Sequence, residues 1–149
     1  MAELAEMLLS DEDIRLRVMN RSLVIEPFKD ELVKPAGYDL RCGESLDIAP
    51  EEHRLTFTLE RIGVPLDLAG ILHLRSSFVR EGLIGGLSLV DPGFKGQLTI
   101  ALYNAGDAII SISRGEPFIQ ASFIELSRSA SRGYSGKYQY SEGVTLSLR

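Results

Sequence analysis

The feature that most constrains this chain is the rhythm of its apolar residues. Beyond the first third they come in short runs rich in β-branched side chains, at Leu55 to Leu59, Gly70 to Leu74, Gly82 to Val90, Gln97 to Asn104, Ala108 to Ile112 and Pro117 to Leu126, and Gly, Pro, Asp and Asn punctuate them. Such runs are too short for packed helices and favour extended backbone. Asp91-Pro92-Gly93 and Asn104-Ala105-Gly106-Asp107 supply turn chemistry between runs, as hairpins require. One helix is expected, at the start. Ser10 can cap free amides there, Asp11, Glu12 and Asp13 sit at the positive end of the helix dipole, Ile14 and Val18 share a face, and the helix ends near Asn20. Leu23 to Phe28, with Pro27, then returns the chain to extended structure. The sum is all-β: a sandwich, jelly roll or distorted barrel.

Composition narrows the function. A chain of 149 residues, 44% hydrophobic and 25% charged, has the balance of one globular domain. Its formal charge of -5 argues against binding a nucleic-acid polymer, though local arginines can still hold a small anion. With Cys42 alone, no internal disulfide is open to it, and no apolar run suggests a leader or a membrane span, so a cytoplasmic location is expected. His53, His73 and Cys42 make no zinc-binding grouping, and the signature of zinc-dependent base deaminases is missing.

Five segments carry candidate chemistry. Ala36-Gly37-Tyr38-Asp39-Leu40 places a lone carboxylate in an apolar stretch. Arg75-Ser76-Ser77-Phe78, followed by Arg80, offers a guanidinium fork and two hydroxyls: either a phosphate cradle or an exposed strand end. Gly85-Gly86 precedes Leu87-Ser88-Leu89-Val90-Asp91-Pro92-Gly93-Phe94, and glycines there allow close approach of backbone to a ligand. Gln120 interrupts an apolar run, so its amide is structural glue or a ligand contact. Last, Arg132-Gly133-Tyr134-Ser135-Gly136-Lys137-Tyr138-Gln139-Tyr140 lies in a tail with little apolar patterning, from residue 127 on, which reads as mobile.

In this order the five segments resemble the motifs of the dUTPase and dCTP deaminase superfamily over nearly the whole chain. The resemblance implies a distorted jelly-roll or β-clip barrel forming one domain over 1–149, with residues 127–149 as a flap over the active site. It implies Asp39 holding the substrate's Mg²⁺ through water, and Arg75, Ser76, Ser77, Gln120 and Lys137 on the phosphates, with Arg80 as a further cation in a second role. The pyrimidine and deoxyribose would meet Gly86, Leu87, Ser88, Leu89 and Phe94, and the flap would bring Tyr134, Tyr138 and Gln139. Asp91 would activate water. It further implies a homotrimer with shared sites, a nucleotide as substrate, and neither polymer nor membrane as partner.

Ala101 separates the two reactions. Where deaminases of this kind carry a glutamate that shuttles protons, this chain has a methyl group, and positions 99 and 103, which share its strand face, bring no carboxylate. Leu102-Tyr103-Asn104 is similar to the dUTPase ending of this strand, whereas the tail and Leu8 to Asp11 resemble the deaminases. The expectation is a dUTP diphosphatase. A dCTP deaminase, mono- or bifunctional, with another carboxylate such as Glu81 substituting, and a non-catalytic nucleotide sensor are the alternatives.

Overall fold

The computed structural model describes residues 7–149, so residues 1–6 of the expected domain lie outside the described residues. The opening helix α1 spans Asp11–Met19 and starts on a reciprocal cap: the Ser10 hydroxyl accepts from the Asp13 amide, while the Asp13 carboxylate accepts from the Ser10 amide. Ile14 is fully buried, and Arg17 reaches Asp67 with two bonds of 3.2 and 2.6 Å, tying α1 to the far side of the chain.

The strands follow as β1 (Val24–Glu26), β2 (Val33–Lys34), β3 (Gly37–Arg41), β4 (Leu46–Ile48), β5 (His53–Gly63), β6 (Leu68–Leu74), β7 (Leu83–Gly86), β8 (Lys95–Asn104), β9 (Ile110–Ile112) and β10 (Pro117–Glu125). They form one sheet in the order β1-β5-β8-β7, a second in the order β2-β3-β10-β6, and a small pair β4-β9, and all of these pairings are antiparallel. In β8 the period-two pattern shows directly: Leu98, Ile100 and Leu102 enter the core, while Gln97, Thr99, Ala101 and Tyr103 face the other way. Tyr38, Leu40, Phe118, Ile119 and Phe123 bring the second sheet into the same core.

A charged pair fastens the two sheets. Arg41 on β3 donates through Nε to Glu60 on β5 at 2.6 Å, its backbone amide donates to the other carboxylate oxygen at 2.8 Å, and its Nη2 donates to the Pro27 carbonyl. Glu60 is completely buried; burial pushes its carboxyl up from the ordinary value, with Arg41 pulling the opposite way.

The all-β expectation holds, with three local corrections. Ser76–Arg80 is a short second helix, α2, where only the opening helix was expected; Phe78 anchors it in the core, and five residues are too few to show helical periodicity. The run from Gly82 to Val90 keeps its ladder only as far as Gly86, after which Val90 makes a lone bridge to Gly70 on β6. Residues 104–107 do turn the chain, yet β8 and β9 do not form a hairpin, because β9 pairs with β4. Asn104 organises that turn, donating to the Ile48 and Ala108 carbonyls and accepting from the Gly106 amide. Among the described residues no helix is long and apolar enough to cross a membrane.

Candidate active site

The candidate residues fall into two groups at different places on the chain. The first sits on the second sheet. In register across three strands, Gln120 on β10 lies opposite both Asp39 on β3 and His73 on β6, so the three side chains share one face. Asp39 is nearly buried, and its Oδ2 receives Arg75 Nε at 3.2 Å and has Lys34 Nζ at 3.9 Å. Burial pushes the Asp39 carboxyl up, opposed by the two cations. Arg75 is itself fixed, since its backbone amide donates to the Phe118 carbonyl as it caps α2, and Ser76 and Ser77 follow it with exposed side chains. Arg80 and Glu81 close α2 on its exposed side.

This group suits an anion better than a resident metal ion. The Asp39 carboxylate is turned to two cations, and among the described residues no three His, Cys, Asp or Glu side chains converge to hold a metal. A hydrated Mg²⁺ carried by phosphates needs no more than one or two carboxylates, and Asp39 would be the one to meet it through water.

The second group lines a cavity of about 610 Å³ between the segment before β8, the open face of β5 and β8, and the tail. Ser88, Leu89, Asp91, Phe94, Tyr134 and Tyr138 all line it, as do His53, Leu55, Gln97, Thr99 and Thr145. Phe94 is buried and meets the ring of Tyr134 edge-on, with centroids 5.8 Å apart. Asp91 is exposed at the wall. Ala101 faces this side between Leu55 and Gly86, and a β-carbon added to Gly86 would stand 3.3 Å from the Ala101 methyl. Leu87 packs on the core beside Gly85.

The tail lies along the loop before β8 and along the strand itself. Tyr134 donates its amide to the Pro92 carbonyl, Tyr140 donates to the Lys95 carbonyl, and the Gln97 amide donates to Ser141. Gln139 bridges both directions: its Oε1 accepts from the Lys95 amide, and its Nε2 donates to the Gly93 and Tyr134 carbonyls. Lys137 donates to the Leu148 carbonyl.

The two groups stand apart on one chain. Val90, beside Asp91, bridges Gly70 near the start of β6, whereas Arg75 follows the end of that strand. Extended backbone from Gly70 to Arg75 covers roughly 16 Å at about 3.3 Å per residue. Sequence reasoning missed Lys34, His53 and His73.

Comparison with known structures identifies the architecture. The EIAV dUTPase superposes with a TM-score of 0.60 at 22% identity, covering 77% of this chain and 98% of that one. A 2'-deoxycytidine 5'-triphosphate deaminase from Agrobacterium tumefaciens gives 0.64 at 17% identity, covering 80% of this chain and 48% of that one. The fold is therefore that shared by dUTPases and dCTP deaminases.

Sequence relatives narrow this further. The family model described as dCTP deaminase-like matches residues 43–126. A dCTP deaminase of Thermococcus kodakarensis is 43% identical, with 96% of this chain and 99% of the relative covered. A "Probable deoxyuridine 5'-triphosphate nucleotidohydrolase" of Sulfolobus islandicus rod-shaped virus 1 is 36% identical, with coverages of 94% and 98%. The chain belongs to the dCTP deaminase-like family of the dUTPase and dCTP deaminase superfamily.

Proposed function

We propose that this chain is a dUTP diphosphatase, hydrolysing dUTP to dUMP and diphosphate in the cytoplasm. The observation that carries the reading is Ala101: on the face of β8 that also presents Gln97 and Thr99 to the cavity, the side chain nearest Gly86 is a methyl group, which cannot exchange a proton with a base. Asp91, in contrast, brings a carboxylate to the wall of the same cavity.

In this reading water held by Asp91 attacks the α-phosphorus. The new phosphorus–oxygen bond forms as the bond to the bridging oxygen breaks, diphosphate leaves with the electron pair, and the water proton passes to Asp91. Arg75, Ser76, Ser77, Gln120 and Lys137 bind the phosphate oxygens, and Phe94 and Tyr134 flank the nucleoside. Mg²⁺ enters with the triphosphate as part of the substrate and supplies charge neutralisation. Positioning and electrostatics then provide most of the rate.

The separation of Asp91 from Arg75 favours a site completed by a second copy, and hence a homotrimer with shared sites. Mixing inactive Asp91→Asn with inactive Arg75→Ala subunits tests this: recovered activity supports sharing, and a mixture as inactive as its parts counts against it.

A second reading is dCTP deamination, favoured by the name of the relative from Thermococcus kodakarensis. The two separate in one experiment. Purified protein is incubated with dUTP or dCTP and Mg²⁺, and diphosphate and ammonia are measured. Diphosphate from dUTP without ammonia from dCTP supports the hydrolase; ammonia from dCTP overturns it.

A further inference from the structure

We propose that Lys34 is a further phosphate-binding residue, held with Arg75 as a pair of cations around Asp39. The proposal rests on the reading of the substrate as a nucleoside triphosphate, but not on which reaction follows.

Lys34 ends β2 and pairs with Gly37 at the start of β3, so the turn through Pro35 and Ala36 folds it back toward Asp39. Its ammonium and the Arg75 guanidinium approach the same oxygen, Asp39 Oδ2, at 3.9 and 3.2 Å. Two cations are thus gathered about a single anion, leaving one positive charge in excess. Like charges brought this close repel, and a second anion relieves the repulsion. Neither cation is spent inside the fold: each side chain is 39% exposed, while the Asp39 side chain is 5% exposed. The carboxylate is accordingly the buried anchor; Arg75 also reaches the Pro117 carbonyl through Nη1 at 3.5 Å, and the half-exposed cations keep further donors for a ligand. Arg75 offers its fork and Lys34 a compact charge, a combination suited to adjacent phosphates. Asp39 acts as a positioning residue for both.

The test is calorimetric binding of inorganic triphosphate to the intact protein. Lys34→Met is expected to weaken binding roughly ten- to hundredfold, the worth of one hydrogen bond to a charged group, while Lys34→Arg stays within a few-fold of the parent. Lys29→Met, which removes an exposed lysine near the same strand, controls for net charge and is expected to change little. The melting temperature of Lys34→Met should stay close to the parent, because Lys34 stands 3.9 Å away, beyond hydrogen-bond reach, and Arg75 at 3.2 Å still pairs with the buried Asp39 carboxylate. Unchanged affinity in Lys34→Met, an equal loss in Lys29→Met, or no triphosphate binding by the parent protein would each overturn the proposal. If dUTP is not hydrolysed and Lys34→Met still loses triphosphate affinity, the hydrolase reading fails and this one stands.

Discussion

Gly93 and Gly133 meet backbone to backbone: a β-carbon on Gly93 would stand 2.5 Å from the α-carbon of Gly133, and Gly93 already has a φ of +86°. The tail can follow the loop before β8 only because both positions lack side chains. Gly93→Ala should therefore release it, through clash as well as the cost of a left-handed backbone at a residue with a side chain. Limited proteolysis is expected to cut the tail of this variant several times faster, with hydrogen exchange rising at Tyr134 and Tyr140. An unchanged cleavage rate would mean the contact does not hold the tail.

For the proposed hydrolase, Asp91→Asn is expected to lower turnover of dUTP about a hundredfold to ten-thousandfold, the usual contribution of a placed base. Nucleotide affinity should survive, since Asp91 is an exposed wall residue and carries none of the core. Stopped-flow or steady-state diphosphate release together with equilibrium binding separates the two effects. Turnover near the parent rate would remove Asp91 as the base.

Ala101→Glu asks whether the missing proton carrier is the whole difference between the reactions. The residue is only half-buried and lies opposite Gly86, which has no side chain, so a longer side chain has an outlet. Ammonia release from dCTP should appear in this variant and be undetectable in the parent. Continued silence on dCTP in a folded variant would show that the methyl group is not what forbids deamination.

The strands β5, β6, β8 and β10 were readable in the sequence because their cores are local runs, and α1 because Ser10 and the acids after it write its start. Strand β3 was harder: all five of its residues are buried, so it carries no alternation to read. The pairing of β4 with β9 is non-local and leaves no signature in either segment. The site followed the same division. Asp39, Arg75 and Gln120 stood out singly by residue type, but their meeting depends on the register of β3, β10 and β6. Lys34 was missed because only the folded turn after it brings its ammonium to Asp39.

Acid stability should report on Arg17 and Asp67. The hydrogen bonds from Arg17 hold the Asp67 carboxyl below its ordinary value of 3.8. Below that value the unfolded chain takes up this proton before the folded one does, so the stabilisation is present above about pH 4 and is lost as the pH falls through the lowered folded value. Asp67→Asn should reduce stability at neutral pH and flatten the decline on acidification. Denaturant midpoints measured from pH 7 down to pH 3 check this; parallel curves for parent and variant would refute it.

Glu60→Ala is expected to cost about 3–5 kcal/mol, because it strands the Arg41 guanidinium without its counter-charge in the interior. Chemical unfolding of parent and variant gives the number. Replacing both partners with apolar residues of similar volume should recover much of the loss, as buried ion pairs seldom out-stabilise a packed hydrocarbon contact.

That last comparison separates strength from alignment. A greasy contact tolerates sliding, whereas a carboxylate receiving both a side-chain and a main-chain donor from Arg41 accepts a single setting of β3 against β5. Asp39 rides on β3 two residues before Arg41, and Leu55 looks into the cavity from β5. The bolt thus fixes how the cluster of Asp39, Arg75 and Lys34 is angled relative to the hollow beneath the tail. A doubly apolar replacement would keep the protein folded while letting that angle wander.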